Sequence, residues 1–172
     1  MDIFDAVKIG NSPENFDNLD SLAKLVARLI SLQKMMGTAE SCTGGLVSCL
    51  LTSIPGSSQW FKGGIVAYSN EIKESILKVD PCLLQKYGAV SEESAQAMAK
   101  GARVALDVYC ALAVTGIAGP EGGSAEKPVG TVCFAWDVNG KVTSCTKIFA
   151  GPRNSVRIES AWAALFGLLE RL

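Results

Sequence analysis

The chain has no histidine among its 172 residues. That absence excludes serine–histidine–acid and cysteine–histidine catalysis within one chain, and any zinc site that needs imidazole. A hydrolytic reaction on this chain would have to move its protons through lysine, carboxylate or tyrosine. An excess of either charge is also missing: 16 basic against 17 acidic side chains give a net charge of −1, which offers no electrostatic reason to bind nucleic acid or an anionic membrane surface. No apolar run reaches the ~18 residues of a membrane span. The first residues, MDIFDAVKIGNSPENFDNLD, have neither the basic start nor the apolar stretch of a secretory signal, so a cytoplasmic location is expected. The six cysteines form no CxxC pair and show no metal-ligand spacing. They read as reduced, mostly buried small apolar residues.

What is present fits one domain with a core of ordinary size, since 48% of the residues are apolar and no disulfide or metal staple is required at this length. Residues 1–18 lack clear periodicity and read as a loosely attached arm. From Leu19 the spacing of Leu22, Leu25, Val26, Leu29, Leu32 and Met36 predicts a helix to about Met36. Short strands are expected at 38–40 and 64–68, and a helix at 70–79 with Ile72, Ile76 and Leu77 as its apolar side. A longer helix capped by Ser91 should run through Leu106. Residues 109–115 read as a central strand buried on both faces. Asn139-Gly140 is a hairpin turn because both residues tolerate positive φ, so the strands at 129–138 and 141–149 should be antiparallel. An amphipathic helix closes the chain from about Asn154. Five strands interleaved with about five helices imply an α/β sandwich, a mixed sheet with helices on both faces.

Four segments could carry chemistry. Glu40-Ser41-Cys42-Thr43-Gly44-Gly45 lies where a strand turns into a helix, so unpaired N–H groups and close backbone approach could hold an oxyanion beside a Ser41 nucleophile. The same spacing fits Ser41 or Thr43 simply capping the helix. Cys42 reads as a core thiol. Tyr68-Ser69-Asn70-Glu71-Ile72-Lys73 places Lys73 one turn into a helix, from which it could reach Ser41 as a base if burial lowers its pKa, with Tyr68 relaying a proton. Alternatively, Lys73 is a solvated surface lysine. The glycine-rich stretch from Thr115 and Gly116 to Pro128 leaves the end of the central strand, where α/β sheets bind ligands, although a surface connection would look the same. Arg153 and Arg157 flank the start of the last helix, a natural anion site, with Arg153 the better candidate.

Six blocks, in order, resemble one family: Ala39 to Gly45, Gly56-Ser57-Ser58 with Trp60-Phe61, Tyr68-Ser69-Asn70 with Lys73, Gly88-Ala89-Val90-Ser91, Thr115 to Pro120, and Lys127-Pro128-Val129-Gly130-Thr131. Over 19–172 the chain is similar to the CinA C-terminal domain family. The resemblance implies a three-layer α/β/α sandwich with a five-stranded mixed sheet in which one strand, from the hairpin, is antiparallel. It implies a nicotinamide mononucleotide deamidase that yields nicotinic acid mononucleotide and ammonia through a Ser/Lys acyl-enzyme, with no metal or other cofactor. Carried over by position, Ser41 is the nucleophile, Lys73 the base and Tyr68 the proton-transfer assistant. Thr115 and Gly116, with the Gly44-Gly45 backbone, line the nicotinamide and oxyanion region, and Arg153 holds the 5′-phosphate. Longer family members carry a further N-terminal domain with nucleotide pyrophosphatase activity, which this chain is expected to lack. The expected partner is a small nucleotide, with no nucleic acid or membrane, and a homodimer or higher homo-oligomer is expected. The competing functional reading is a catalytically silent nucleotide-binding module or a competence- or damage-associated partner protein.

Overall fold

A computed structural model describes the backbone of residues 14–172 and the side chains of residues 18–172. Five strands, β1 (Met36–Glu40), β2 (Phe61–Val66), β3 (Cys110–Gly116), β4 (Thr131–Val138) and β5 (Lys141–Ile148), form one sheet in the order β2-β1-β3-β4-β5. β1 runs parallel to both β2 and β3, and β4 is antiparallel to β3 and β5. A single strand therefore opposes the other four, as the hairpin signal predicts.

Side-chain size sorts the helices between the two faces. Along β3 and β4 the large residues Leu112, Val114, Phe134 and Trp136 point to one side, where they meet α1 (Glu14–Leu32), α2 (Leu46–Thr52) and α6 (Arg153–Leu169). Ala111, Ala113, Cys133 and Ala135 point to the other, where α5 (Glu92–Ala105) lies against them with Ala95, Met98, Ala99 and Ala102. Small residues on both partners let this helix approach closely. Its neighbours on that face are α3 (Asn70–Ser75) and α4 (Pro81–Tyr87). The result is the three-layer sandwich.

Several boundaries differ from the sequence reading, each for a physical reason. α1 already runs from Glu14, so residues 14–18 belong to a helix and not to the expected arm; 1–13 lie outside the described residues. The helix stops at Leu32 because Gln33 turns to a positive φ of 52°. Met36 keeps the helical spacing by coincidence and is a buried strand residue whose N–H donates to the Trp60 carbonyl. β2 starts three residues earlier than expected, since Gly63-Gly64 does not break it: a side chain at Gly64 would collide with Ser48 and Thr38. The helix α4 was not anticipated, although Asp80 caps it by accepting from the Cys82 N–H and Pro81 opens it, a standard helix start.

Candidate active site

The three parallel strands deliver their carboxyl ends side by side. After β1 comes Ser41, whose N–H donates to the Val114 carbonyl at 2.9 Å; after β2, the Ala67 N–H donates to the Glu40 carbonyl at 2.8 Å. The pairing pattern thus continues past the strand ends and holds Ser41 between the exits of β2 and β3. Crossovers leave β1 toward β2 on one side and return to β3 on the other, which opens a crevice where ligands bind in α/β sheets. A cavity of about 220 Å³ occupies it, lined by Ser41, Cys42, Tyr68, Asn70, Lys73, Ala89, Val90, Thr115, Gly116, Ala118 and Arg153.

Lys73 reaches this cavity from α3, whose N-cap is Ser69, accepting from the Ile72 N–H. The helix is turned opposite to its hydrophobic pattern: Lys73 is 1% exposed, whereas Ile72 and Ile76 are 38% and 47% exposed. This corrects the expectation for Ile72 and Ile76, whereas Leu77, the third residue of that side, is buried as expected but lies beyond the helix, which ends at Ser75 and not at Val79. A six-residue helix buries too little apolar surface for periodicity to decide its rotation, and the lysine stem fills the core position instead. The Lys73 Nζ lies 3.4 Å from Ser41 Oγ, 3.0 Å from the Ala67 carbonyl oxygen and 3.4 Å from that of Tyr68. Burial pushes the lysine below its ordinary range, partly opposed by Cys42 and Glu71. The Cys42 opposition vanishes at neutral pH, because burial raises that thiol to about 12 and keeps it uncharged. Cys42 is for the same reason a poor nucleophile.

The geometry also defines which form of the amine fits. An ammonium can donate to all three neighbours. A neutral amine donates to the two carbonyls, which can never donate in return, and its lone pair is left facing the Ser41 hydroxyl. The two carbonyls therefore aim the basic electron pair at the one neighbour that carries a proton.

Glu40, quoted in the motif but given no role from sequence, organises the other side of Ser41. Its carboxylate is fully buried and accepts from the Gly45, Val47 and Ser48 N–H groups at 3.0, 3.0 and 2.8 Å, and from Ser48 Oγ at 2.7 Å. The start of α2 is thus capped by a charged side chain from the preceding strand, and by neither Ser41 nor Thr43. This revises the oxyanion expectation for the glycines. The Gly45 N–H is committed to Glu40 and the Gly44 N–H to the Ser41 carbonyl, and neither residue lines the cavity. Their positive φ values of 59° and 92° make the turn that lets Glu40 reach the helix.

Thr115 is buried, donating its hydroxyl to the Ala89 carbonyl at 2.8 Å, and it stands with Gly116 on the cavity wall. Arg153 sits at the mouth, donating to the Gly119 carbonyl at 2.9 Å and to the Tyr68 hydroxyl at 3.1 Å. Arg157 turns away to the Thr43 carbonyl at 2.8 Å. Tyr68 is 61% exposed; its carbonyl meets Lys73, while its phenol meets Arg153 and not the serine–lysine pair. Of the eight residues expected from sequence, Ser41, Lys73, Tyr68, Thr115, Gly116 and Arg153 share the cavity and Gly44 and Gly45 do not. Cys42, Asn70, Ala89, Val90 and Ala118 complete the wall. Ala89 and Val90 stood in the Gly88 to Ser91 block of the family resemblance, but nothing in their chemistry marked them as lining residues.

Fold and site together define a three-layer α/β protein with a buried lysine set against a serine at the strand ends. The profile of the CinA C-terminal domain matches residues 19–172, and the chain belongs to that family. A CinA-like protein of Mycolicibacterium paratuberculosis is 50% identical over 153 residues, 86% of this chain and 35% of that protein. One from Prochlorococcus marinus is 48% identical over 147 residues, 85% of this chain and 34% of the relative. The chain thus spans about a third of the length of these relatives. A CinA superfamily protein from Escherichia coli superposes with a TM-score of 0.88 at 36% identity, covering 96% of each chain. A competence/damage inducible protein from Agrobacterium tumefaciens gives 0.86 at 40% identity, covering 90% of this chain and 94% of the other. Among the described residues no helix is long and apolar enough to cross a membrane.

Proposed function

We propose that the chain is a serine amidohydrolase that converts the carboxamide of nicotinamide mononucleotide to the acid of nicotinic acid mononucleotide, releasing ammonia. The observation that carries this reading is the 3.4 Å approach of the Lys73 Nζ to Ser41 Oγ in a buried setting that favours the neutral amine. Ser41 Oγ attacks the carboxamide carbon as Lys73 takes its proton. The resulting ammonium returns that proton to the nitrogen, the C–N bond breaks and ammonia leaves. Water then attacks the acyl ester, delivering a proton through Lys73 to Ser41 Oγ and freeing the carboxylic acid. With Gly44 and Gly45 committed, the Cys42 N–H, which has no backbone acceptor among the described residues, is the donor assigned to the developing oxyanion.

The substrate class follows from the cavity's two halves. Its volume of about 220 Å³ lies below the ~300–1,000 Å³ of pockets for drug-sized ligands. It suits one aromatic ring, placing ribose and phosphate over the mouth, where Arg153 stands. Ammonia release measured with nicotinamide mononucleotide, nicotinamide riboside and free nicotinamide tests both halves: turnover should be fastest with the phosphate-bearing substrate and abolished in Ser41→Ala. Binding of the nucleotide without any ammonia would refute the amidohydrolase reading and leave a nucleotide-binding module.

A further inference from the structure

The loop between α4 and α5 forms one wall of the cavity through Ala89 and Val90, and its four successive carbonyls are each taken by a side chain. Gly88 accepts from Ser91 Oγ at 3.0 Å and Ser94 Oγ at 2.7 Å, and Ala89 accepts from Thr115. The outer two, Tyr87 and Val90, accept from the Nζ of Lys127 at 3.1 and 2.7 Å. Lys127 comes from the far end of the glycine-rich connection. Ser124 and Lys127 close a turn there by exchanging hydrogen bonds, the Ser124 N–H to the Lys127 carbonyl and the Lys127 N–H to Ser124 Oγ. No carboxylate of the described residues lies within ion-pair distance of this lysine. Its charge is directed at the two carbonyls, and charge-assisted bonds of this kind are about twice as strong as neutral ones.

We propose that Lys127 is a positioning residue that clamps the 87–90 loop and so sets the width of the slot that receives the aromatic ring of the substrate. The ring in question is that of the amidohydrolase reading, on which the consequence for turnover rests. The two carbonyls it grips bracket the two wall residues; without those bonds the loop is held only through Gly88 and Ala89, and Val90 is released to move outward. Ser41 and Lys73 are held by other elements, β1 and α3, and keep their geometry. The clamp therefore acts on ring binding and leaves the chemical step alone.

Lys127→Met keeps the length of the stem and removes the donor; Lys127→Arg restores a cationic donor. In Lys127→Met, amide hydrogen exchange across 88–91 should accelerate about tenfold or more without substrate, and KM should rise about tenfold with kcat within about twofold. Lys127→Arg should recover most of both. Labelling of Ser41 by a small sulfonyl fluoride, which needs no ring slot, should proceed at the wild-type rate. Unchanged exchange and KM in Lys127→Met would overturn the proposal, as would a parallel loss of kcat and Ser41 labelling. Absence of ammonia release by the wild-type protein would refute the amidohydrolase reading instead, and the exchange measurement would still decide the clamp.

Discussion

Lys73 is under two opposed demands, since the chain must bury a lysine and the mechanism needs it uncharged. Burial lowers its pKa from the ordinary 10.5, so between the folded value and 10.5 the unfolded chain binds more protons and stability rises with pH. Below the folded value the full cost of the buried charge is present. Lys73→Met should therefore be more stable than wild type near neutrality, by about 1.4 kcal/mol per tenfold change in the protonation constant. The gap should close as pH approaches 10.5. Urea midpoints of the two proteins across this range check it, and a gap that widens with pH would contradict the assignment. The same lowered pKa predicts that kcat/KM climbs with pH along a single limb whose midpoint lies below the ordinary lysine value.

Glu40 sets the opposite side of the nucleophile. Replacing it by Gln leaves one oxygen for four donors and turns an NH2 group toward buried N–H groups. Each orphaned donor costs about 1–3 kcal/mol, so Glu40→Gln should lose about 3 kcal/mol or more and most turnover. A thermal melt and the ammonia assay measure the two effects; a variant with wild-type values in both would show that the Ser41 loop holds itself. This role was not readable from the chain, because a strand-end glutamate ordinarily points to solvent. Only the bend at Gly44-Gly45 brings the helix start within its reach.

At the level of single elements, legibility followed the amount of surface each one buries. The long elements α5, α6 and the β4–β5 hairpin were expected in place, and α1 was expected with both ends about a turn too late, since many residues vote for one period. The six-residue α3 was expected four residues longer and with Ile72 and Ile76 turned inward, and the seven-residue α4 was missed despite its Asp-Pro start. A short helix takes its orientation from the site it serves. The close approach of α5 to the sheet gives a test: Ala99 is fully buried between helix and strands, so Ala99→Leu should cost about 1–3 kcal/mol by overpacking. Val104, 70% exposed on the same helix, should accept Lys within about 0.5 kcal/mol. Equal effects in denaturant titrations would mean that α5 does not pack as described.

Across the whole molecule, the cavity draws on residues from 41 to 153, and no local window could have assembled them. The order of the motif blocks could in large part, because five of the six lie at the end of the sheet where β1, β2 and β3 finish and β4 starts, while the Gly56 to Phe61 block leads into the opposite, amino end of β2. What that order could not show was how hydrogen bonds are spent inside the blocks: the Gly44 and Gly45 amides are consumed, and the Tyr68 phenol faces Arg153. Both depend on atoms that meet only after the sheet has closed.

The turn at Asn139-Gly140 lies at the other pole. Val138 pairs with Cys110 at the start of β3, whereas Gly116, at the end beside the cavity, pairs with Val132. A side chain at Gly140 would meet nothing within 4 Å. Insertion there gives up the bond from the Gly140 N–H to Asp137 Oδ1; beyond that, each doubling of a flexible loop costs only about 0.6 kcal/mol, so this bend is a permissive splice point. A flexible glycine–serine tag of about eight residues inserted there should leave Ser41 labelling and melting behaviour close to the parent's, giving a tethering handle on the side away from the substrate.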